Sequence, residues 1–299
     1  MVLFFKNRLL HRLLKGLLPL FVCLVTLGFS ACETPSERGE PSPERVCNGS
    51  TANCQKVLSD VSIVMTHNSM SSEESGFFAP NQYEGLVRQL SDGVRGINWD
   101  VYDVDGRATL CHGICSFGNR LMVDALGELK IFLEEHPTEV ITIIFESYVS
   151  AEMMRETFEE AELLPLLYAH DPEASWPTLD ELTESGTPLI LFTDSGGDIY
   201  PWLHNVWSYA FETPYAAETP DALSCALNRG NAENPFFILP HFLTAPLAAP
   251  ELADQINHNP FFQERINACT DEWAHRPTII QVDFYSVGDV FDVVEALND

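Results

Sequence analysis

The sequence predicts a single α/β barrel, and three observations predict it. Short apolar runs rich in Val, Ile and Phe alternate with stretches of helical periodicity, the pattern of a parallel sheet. About eight such runs fit into 299 residues, a length at which the sheet closes into one barrel instead of dividing into two domains. The runs also end in polar residues, and barrels of this class gather functional groups at the C-terminal ends of their strands.

Strands are expected at residues 61–65, 96–101, 108–111, 140–145, 188–192, 206–210, 236–239 and 278–284. Helices are expected at 121–135, which ends near Pro137, and at 151–163 and 289–297. Residues 194–235 carry no clear period and read as long loops over the functional face.

Sixteen basic residues face 44 acidic ones, for a formal net charge of −28. Four of the bases, Lys6, Arg8, Arg12 and Lys15, lie in a leading segment with no acid before Glu33. Without that segment the balance is 12 basic to 44 acidic, or −32. Such a chain repels nucleic acid and anionic membrane surfaces at long range and attracts cations.

Residues 1–31 read as an export signal: a basic stretch, an apolar stretch from Gly16 to Phe29, and the small exit Ser30-Ala31 before Cys32. The apolar run is only slightly short of a membrane span. The Ala31-Cys32 junction resembles a bacterial lipoprotein signal, with Cys32 as the acylated residue and lipid anchoring in the cell envelope as the consequence. Phe29 stands where that signal has Leu, which leaves simple secretion open. Residues 32–46, rich in Glu, Pro, Ser and Arg, read as a disordered tether. The barrel would occupy 47–299. Six cysteines remain there, an even count that suits disulfides in an exported chain. Locality pairs Cys47 with Cys54, Cys111 with Cys115 and Cys225 with Cys269.

The strand ends carry the chemistry. The first supplies His67 and Asn68, the second Asn98 and Asp100, the third His112, the fourth Glu146, the seventh His241 and the eighth Asp283. A histidine pair with carboxylates suits acid–base work on a phosphodiester. Asn68, Asn98, Asp100 and Glu146 are all oxygen donors, a set that suits Ca2+ and not zinc. Arg95 reads as a structural ion-pair partner, and His136, His170, His204, His258 and His275 as surface residues. Trp202, Trp207 and Tyr209 read as aromatic core.

These motifs resemble the phosphatidylinositol-specific phospholipase C X-domain family. The resemblance rests on Thr66-His67-Asn68-Ser69, Gly93-Val94-Arg95 through Trp99-Asp100, Leu110-Cys111-His112-Gly113, Ile144-Phe145-Glu146 and Val282-Asp283-Phe284-Tyr285. It runs from about Cys47 to Leu297. It implies a distorted TIM (β/α)8-like barrel and a phosphoric diester hydrolase of lipid metabolism. It also implies roles: His67 as general base toward the inositol 2-hydroxyl, His112 as general acid toward the diacylglycerol oxygen, and Asp283 orienting His67. Metal-free members carry Arg two residues past the second-strand Asp and Lys at the Glu146 position; here those residues are Tyr102 and Glu146. Calcium-dependent members carry Asn, Glu, Asp and Glu where this chain has Asn68, Asn98, Asp100 and Glu146. The resemblance therefore implies Ca2+ as cofactor, with a phospholipid or related phosphodiester as substrate. The expected protein is a monomer outside the cytoplasm. A glycerophosphodiester or sphingophospholipid phosphodiesterase, or a catalytically inactive surface binding module, would use the same barrel.

Overall fold

The computed structural model describes residues 45–299, so the expected signal, Cys32 and the tether up to residue 44 lie outside the described residues. Eleven strands form one sheet: β1 (Ile63–Thr66), β2 (Gly96–Val104), β3 (Arg107–Leu110), β4 (Arg120–Leu121), β5 (Ile141–Tyr148), β6 (Leu189–Thr193), β7 (Leu203–Asn205), β8 (Ala210–Glu212), β9 (Arg229–Gly230), β10 (Phe236–His241) and β11 (Ile279–Val282). Eight of them run parallel in the order β7-β6-β5-β2-β1-β11-β10-β8. Every residue of β1, β6, β10 and β11 is buried, as befits parallel strands covered on both faces. Among the described residues no ladder joins β7 to β8, so the expected eight-stranded barrel is present with one open seam.

That seam corrects one expectation. Residues 206–210 were expected as a strand, but Val206–Tyr209 forms one turn of helix spanning the gap. Asn205 sets it, its side-chain oxygen accepting from the Trp207 N–H at 2.9 Å. The aromatic run reads as β by propensity, and the cap overrides it. A second correction concerns residues 108–111. They pair antiparallel with β2, Val101 opposite Leu110, as the return arm of a hairpin. The turn is Asp105-Gly106, both at positive φ, a strong hairpin signal between two strand-like runs. The last strand also stops at Val282, two residues short of the expected end.

The helices follow their local chemistry. Ala151–Glu160 is capped by Ser150, and Leu179–Glu184 starts on a capping box formed by Thr178 and Glu181. Met122–Glu135 buries Leu126, Leu129 and Leu133 against the β2–β5 side of the sheet. Gly96 is required by packing: a Cβ there would sit 2.5 Å from that of Met65 on the neighbouring strand. All three cysteine pairs are bridged as locality suggested. Arg95 is structural, bonding Glu139 at 2.6 Å and the carbonyls of Leu90 and Val94. His170 and His204 are not at the surface as expected. Both are buried in an aromatic cluster in which His170 stacks on Trp176 at 3.8 Å and His204 lies 5.7 Å from Phe192. Loop position made them look exposed, and long-range packing buries them.

Candidate active site

Register builds the centre of the site. Thr66 on β1 is paired with Val282 on β11, so the next residues, His67 and Asp283, leave the sheet side by side. The His67 N–H bonds the Val282 carbonyl at 2.9 Å, and its ring Nδ1 lies 2.9 Å from Asp283 Oδ1. Asp283 is 3% exposed, and the same oxygen accepts from Asn81 Nδ2 at 3.0 Å. With Nδ1 protonated toward the carboxylate, Nε2 faces the cleft as a hydrogen-bond acceptor. Phe242 stacks on the ring at 3.8 Å and 6°, and Gln82 Nε2 donates to the His67 and Val282 carbonyls.

His112 reaches the same cleft by a different route. The β2–β3 hairpin turns the chain back, the Cys111 N–H meets the Asp100 carbonyl at 3.3 Å, and His112 arrives opposite His67 with 6.5 Å between ring centroids. Asn68, held at φ +48°, puts Nδ2 3.1 Å from His67 Nε2 and 3.4 Å from His112 Nε2. Part of the His112 ring reaches solvent. Crowding by protein atoms, then the nearby His67 ring, still hold its pKa below the ordinary histidine value.

Of the four expected metal ligands, Asn98 and Glu146 line the cleft next to His67, Asn68 contacts both histidine rings, and Asp100 is buried. Asp100 and Glu146 are register partners on β2 and β5, and Asn98 lies two residues before Asp100 on the same face. Asn98 Oδ1 accepts from the Asn68 N–H at 3.3 Å and Nδ2 donates to the Ile144 carbonyl, so the amide braces β1, β2 and β5 and keeps one lone pair free. Glu146 is exposed and takes a hydrogen bond from the Tyr148 hydroxyl; Tyr148 in turn stacks on Tyr102 at 4.4 Å. Asp100 is buried. Desolvation, then repulsion from Glu146 and Asp194, push its pKa up to about 8. Asn68 Oδ1 is buried with no hydrogen-bond partner. A buried amide oxygen without a partner, and a buried carboxylate whose nearby charges are other carboxylates, are each donors of the kind a hard cation takes. Among the described residues, only Cys47, Cys54 and Asp180 bring three His, Cys, Asp or Glu donors within 4.8 Å, and both sulfurs are bridged. Closing a shell around Asp100 and Glu146 would therefore need the two asparagines and water.

Two cavities open from His67. One, of about 260 Å³, also touches His112 and is walled mostly by apolar side chains. The other, of about 170 Å³, is lined by Glu146, Asp194, Glu212 and Arg229 together with Trp207 and Tyr215. Arg229 bonds Glu212 at 2.5 Å and lies 4.2 Å over the Trp207 ring. Sequence reasoning missed Asn81, Gln82, Asp194, Arg229 and Phe242. Asp194 directly follows a strand and was findable by the strand-end rule; the others carry no local signal. His241 belongs to neither cavity. It is fully buried, stacked on Phe262, and bonded to the Ile256 carbonyl at 3.0 Å.

Fold and site together define a parallel α/β barrel with a histidine-lined cleft at the strand ends. A family model described as PI-PLC X 1 matches residues 53–298, and the chain belongs to that family. It is 26% identical over 301 residues to a PI-PLC X domain-containing protein of Arthroderma benhamiae, covering 92% of this chain and 94% of that one. A second Arthroderma benhamiae relative, described as an uncharacterized secreted protein, is also 26% identical, over 92% of this chain and 69% of its own length. The fold resembles phosphatidylinositol-specific phospholipase C of Staphylococcus aureus (TM-score 0.60, 18% identity, 82% of this chain and 94% of that one). The corresponding Listeria monocytogenes enzyme superposes with TM-score 0.55 at 15% identity, over 82% and 95% of the two chains.

Proposed function

We propose that this chain is an exported phosphodiesterase of the phospholipase C type that cleaves a phosphatidylinositol-like phosphodiester with two histidines. The observation that carries this reading is the pair of facing Nε2 atoms, one backed by Asp283, across a cleft bridged by Asn68. His67 Nε2 takes the proton of the attacking hydroxyl, and Asp283 stabilises the imidazolium that results. The new P–O bond forms as the bond to the leaving alcohol breaks, and His112 supplies that oxygen with a proton. At rest His112 is neutral, in keeping with its lowered pKa; a phosphodiester anion beside it favours the protonated form. Attack by a vicinal hydroxyl yields a cyclic phosphate.

Asn68, Asn98, Asp100 and Glu146 are the residues we assign to Ca2+. The cation would offset negative charge on the phosphate. Tyr102 stands where metal-free relatives carry a cationic side chain, which supports the metal-assisted route. Export follows the expected signal and agrees with the description of one relative as secreted.

Phosphorus NMR of products from a phospholipid panel, run with Ca2+ and with EGTA, tests the reading. The expected result is a cyclic inositol phosphate that forms with Ca2+ and not with EGTA. Release of phosphocholine or glycerophosphate would move the assignment to a different phosphodiester, and full activity in EGTA would remove calcium from it.

A further inference from the structure

We propose that Asn81 and Gln82 form a clamp that positions the base, holding His67 and Asp283 in the one geometry in which the imidazole can take a proton. The inference rests on the base assignment in the phospholipase reading and adds the residues that maintain it. Both lie in the loop after β1, where residues 73–76 and Tyr83 are exposed, yet they are only 1% and 0% exposed themselves. The Asn81 and Gln82 N–H groups both bond the Ser71 carbonyl, at 2.8 and 3.1 Å, which folds the loop back onto the arm that carries His67. Gln82 then bridges the ends of two strands. Its Nε2 donates to the His67 carbonyl at 2.9 Å and to the Val282 carbonyl at 3.0 Å, and its Oε1 accepts from the Tyr285 N–H at 3.2 Å. One buried side chain thus fixes the backbone on both sides of the His67–Asp283 pair.

Asn81 acts on the carboxylate itself. Rotation of an aspartate carboxyl about its last torsion is broad and roughly two-fold, so that torsion alone does not decide which oxygen meets the ring. Asn81 Nδ2 donates to Oδ1 at 3.0 Å, and Oδ1 is the oxygen that faces His67 Nδ1. Asn81 also holds the turn that follows. Phe284 sits at φ +47°, a region that a bulky side chain enters only when its surroundings enforce it. Its N–H is held by the Asn81 carbonyl at 2.8 Å. Folding gains little from the Asn81 amide. Its Oδ1 is buried without a partner among the described residues, so the cost of desolvating that atom goes unreturned. A buried amide kept on such terms is explained by what its other end does to Asp283.

The test compares Asn81→Leu, which keeps the volume without the donor, with Asn81→Ala and Ser62→Ala. Ser62 Oγ donates to the Pro277 carbonyl at 2.7 Å, a buried bond between the residues just before β1 and β11, at the far ends of the same two strands. Turnover of phosphatidylinositol, melting temperature and the rate at which the His67 Nδ1 proton exchanges with water are measured for each. Both Asn81 variants should lose about 10-fold in kcat and exchange the ring proton about 10-fold faster. That is the equivalent of about 1.4 kcal/mol, close to the least that a hydrogen bond to a charged group is worth. Ser62→Ala should lower the melting temperature at least as much and leave kcat and exchange as in the wild type. Gln82→Met, which removes three bonds, should exchange faster still; if it does not fold, the Asn81 pair decides. Wild-type kcat and exchange in Asn81→Leu overturn the clamp and leave the phospholipase reading standing, even if Asn81→Ala is impaired, since packing alone would then be at work. Loss of kcat with unchanged exchange also overturns it, because Asn81 would then act on the substrate. Equal effects from Ser62→Ala overturn it as well, since any loosening of the two strands would suffice. Faster exchange in Asn81→Leu, with no inositol lipid cleaved by the wild type, keeps the clamp and removes the phospholipase reading.

Discussion

Replacing Asp283 with asparagine tests whether His67 is an oriented base or a packed ring. In the wild type one carboxylate oxygen accepts from both His67 Nδ1 and Asn81 Nδ2, at 2.9 and 3.0 Å, and the other has no partner. Asparagine offers the same shape without the charge. If its oxygen keeps both donors, the imidazolium formed in the reaction loses a charge-assisted bond and keeps a neutral one, a difference of about 1–2 kcal/mol, or roughly 5- to 30-fold in rate. If the amide turns and donates to Nδ1, the ring proton moves to Nε2 and the base is gone. The cost then approaches the roughly 10⁴-fold seen for the wrong tautomer in serine proteases. Stability should change little, because the new amide N–H left without a partner costs about what removal of an uncompensated buried charge returns. Two measurements decide it: turnover of phosphatidylinositol beside melting temperature, and the proton NMR signal of His67 Nδ1–H. We expect kcat to fall at least about 5-fold, melting to stay within a few degrees, and the downfield ring proton to shift or vanish. Wild-type turnover in a folded Asp283→Asn protein would refute the base assignment, and an unchanged ring proton would refute the pairing itself.

Three further outcomes follow from the same geometry. His112→Ala and His67→Ala should each lose about 10²–10⁴-fold in turnover, and a substrate with a more acidic leaving alcohol should rescue the first but not the second, as a kinetic comparison of two esters will show. Cys115→Ser should cost about 2 kcal/mol by loop entropy and Cys225→Ser about 4, given separations of 4 and 44 residues. The smaller bridge encloses His112, so Cys115→Ser should lower kcat more than Cys225→Ser does, and equal kcat in both would argue against a role in placing the general acid. His204 is buried, and burial lowers its pKa to about 4. Its contribution is complete above pH 6.5 and is lost as pH falls toward 4, because the unfolded chain binds the proton first. The loss is on the order of 3 kcal/mol, and His204→Phe should flatten that part of the melting-temperature profile.

The sequence by itself determined the barrel class, the cysteine pairing and the places where polar groups leave the sheet. Those features are written in short-range signals: runs of Val, Ile and Phe, two cysteine pairs only 7 and 4 residues apart that leave Cys225 and Cys269 for each other, and a histidine or carboxylate next to an apolar run. Asp100 and Glu146 were legible because a strand end is a local event. Their adjacency was not, since it depends on the β2–β5 register that brings residues 46 positions apart together. The His67–Asp283 pair spans 216 residues and exists because Thr66 is aligned with Val282. His112 looked like the end of a barrel strand. Only pairing showed that the strand runs backwards, although Asp105-Gly106 announced the turn. Asn81 and Phe242 had no signal at all, being an ordinary amide and an ordinary aromatic that matter only for what the fold sets beside them. The division of the cleft into an apolar and a charged cavity is a property of loops far apart in the chain. No local pattern specifies which loops will meet, because that choice is made by burial of the sheet on which they stand.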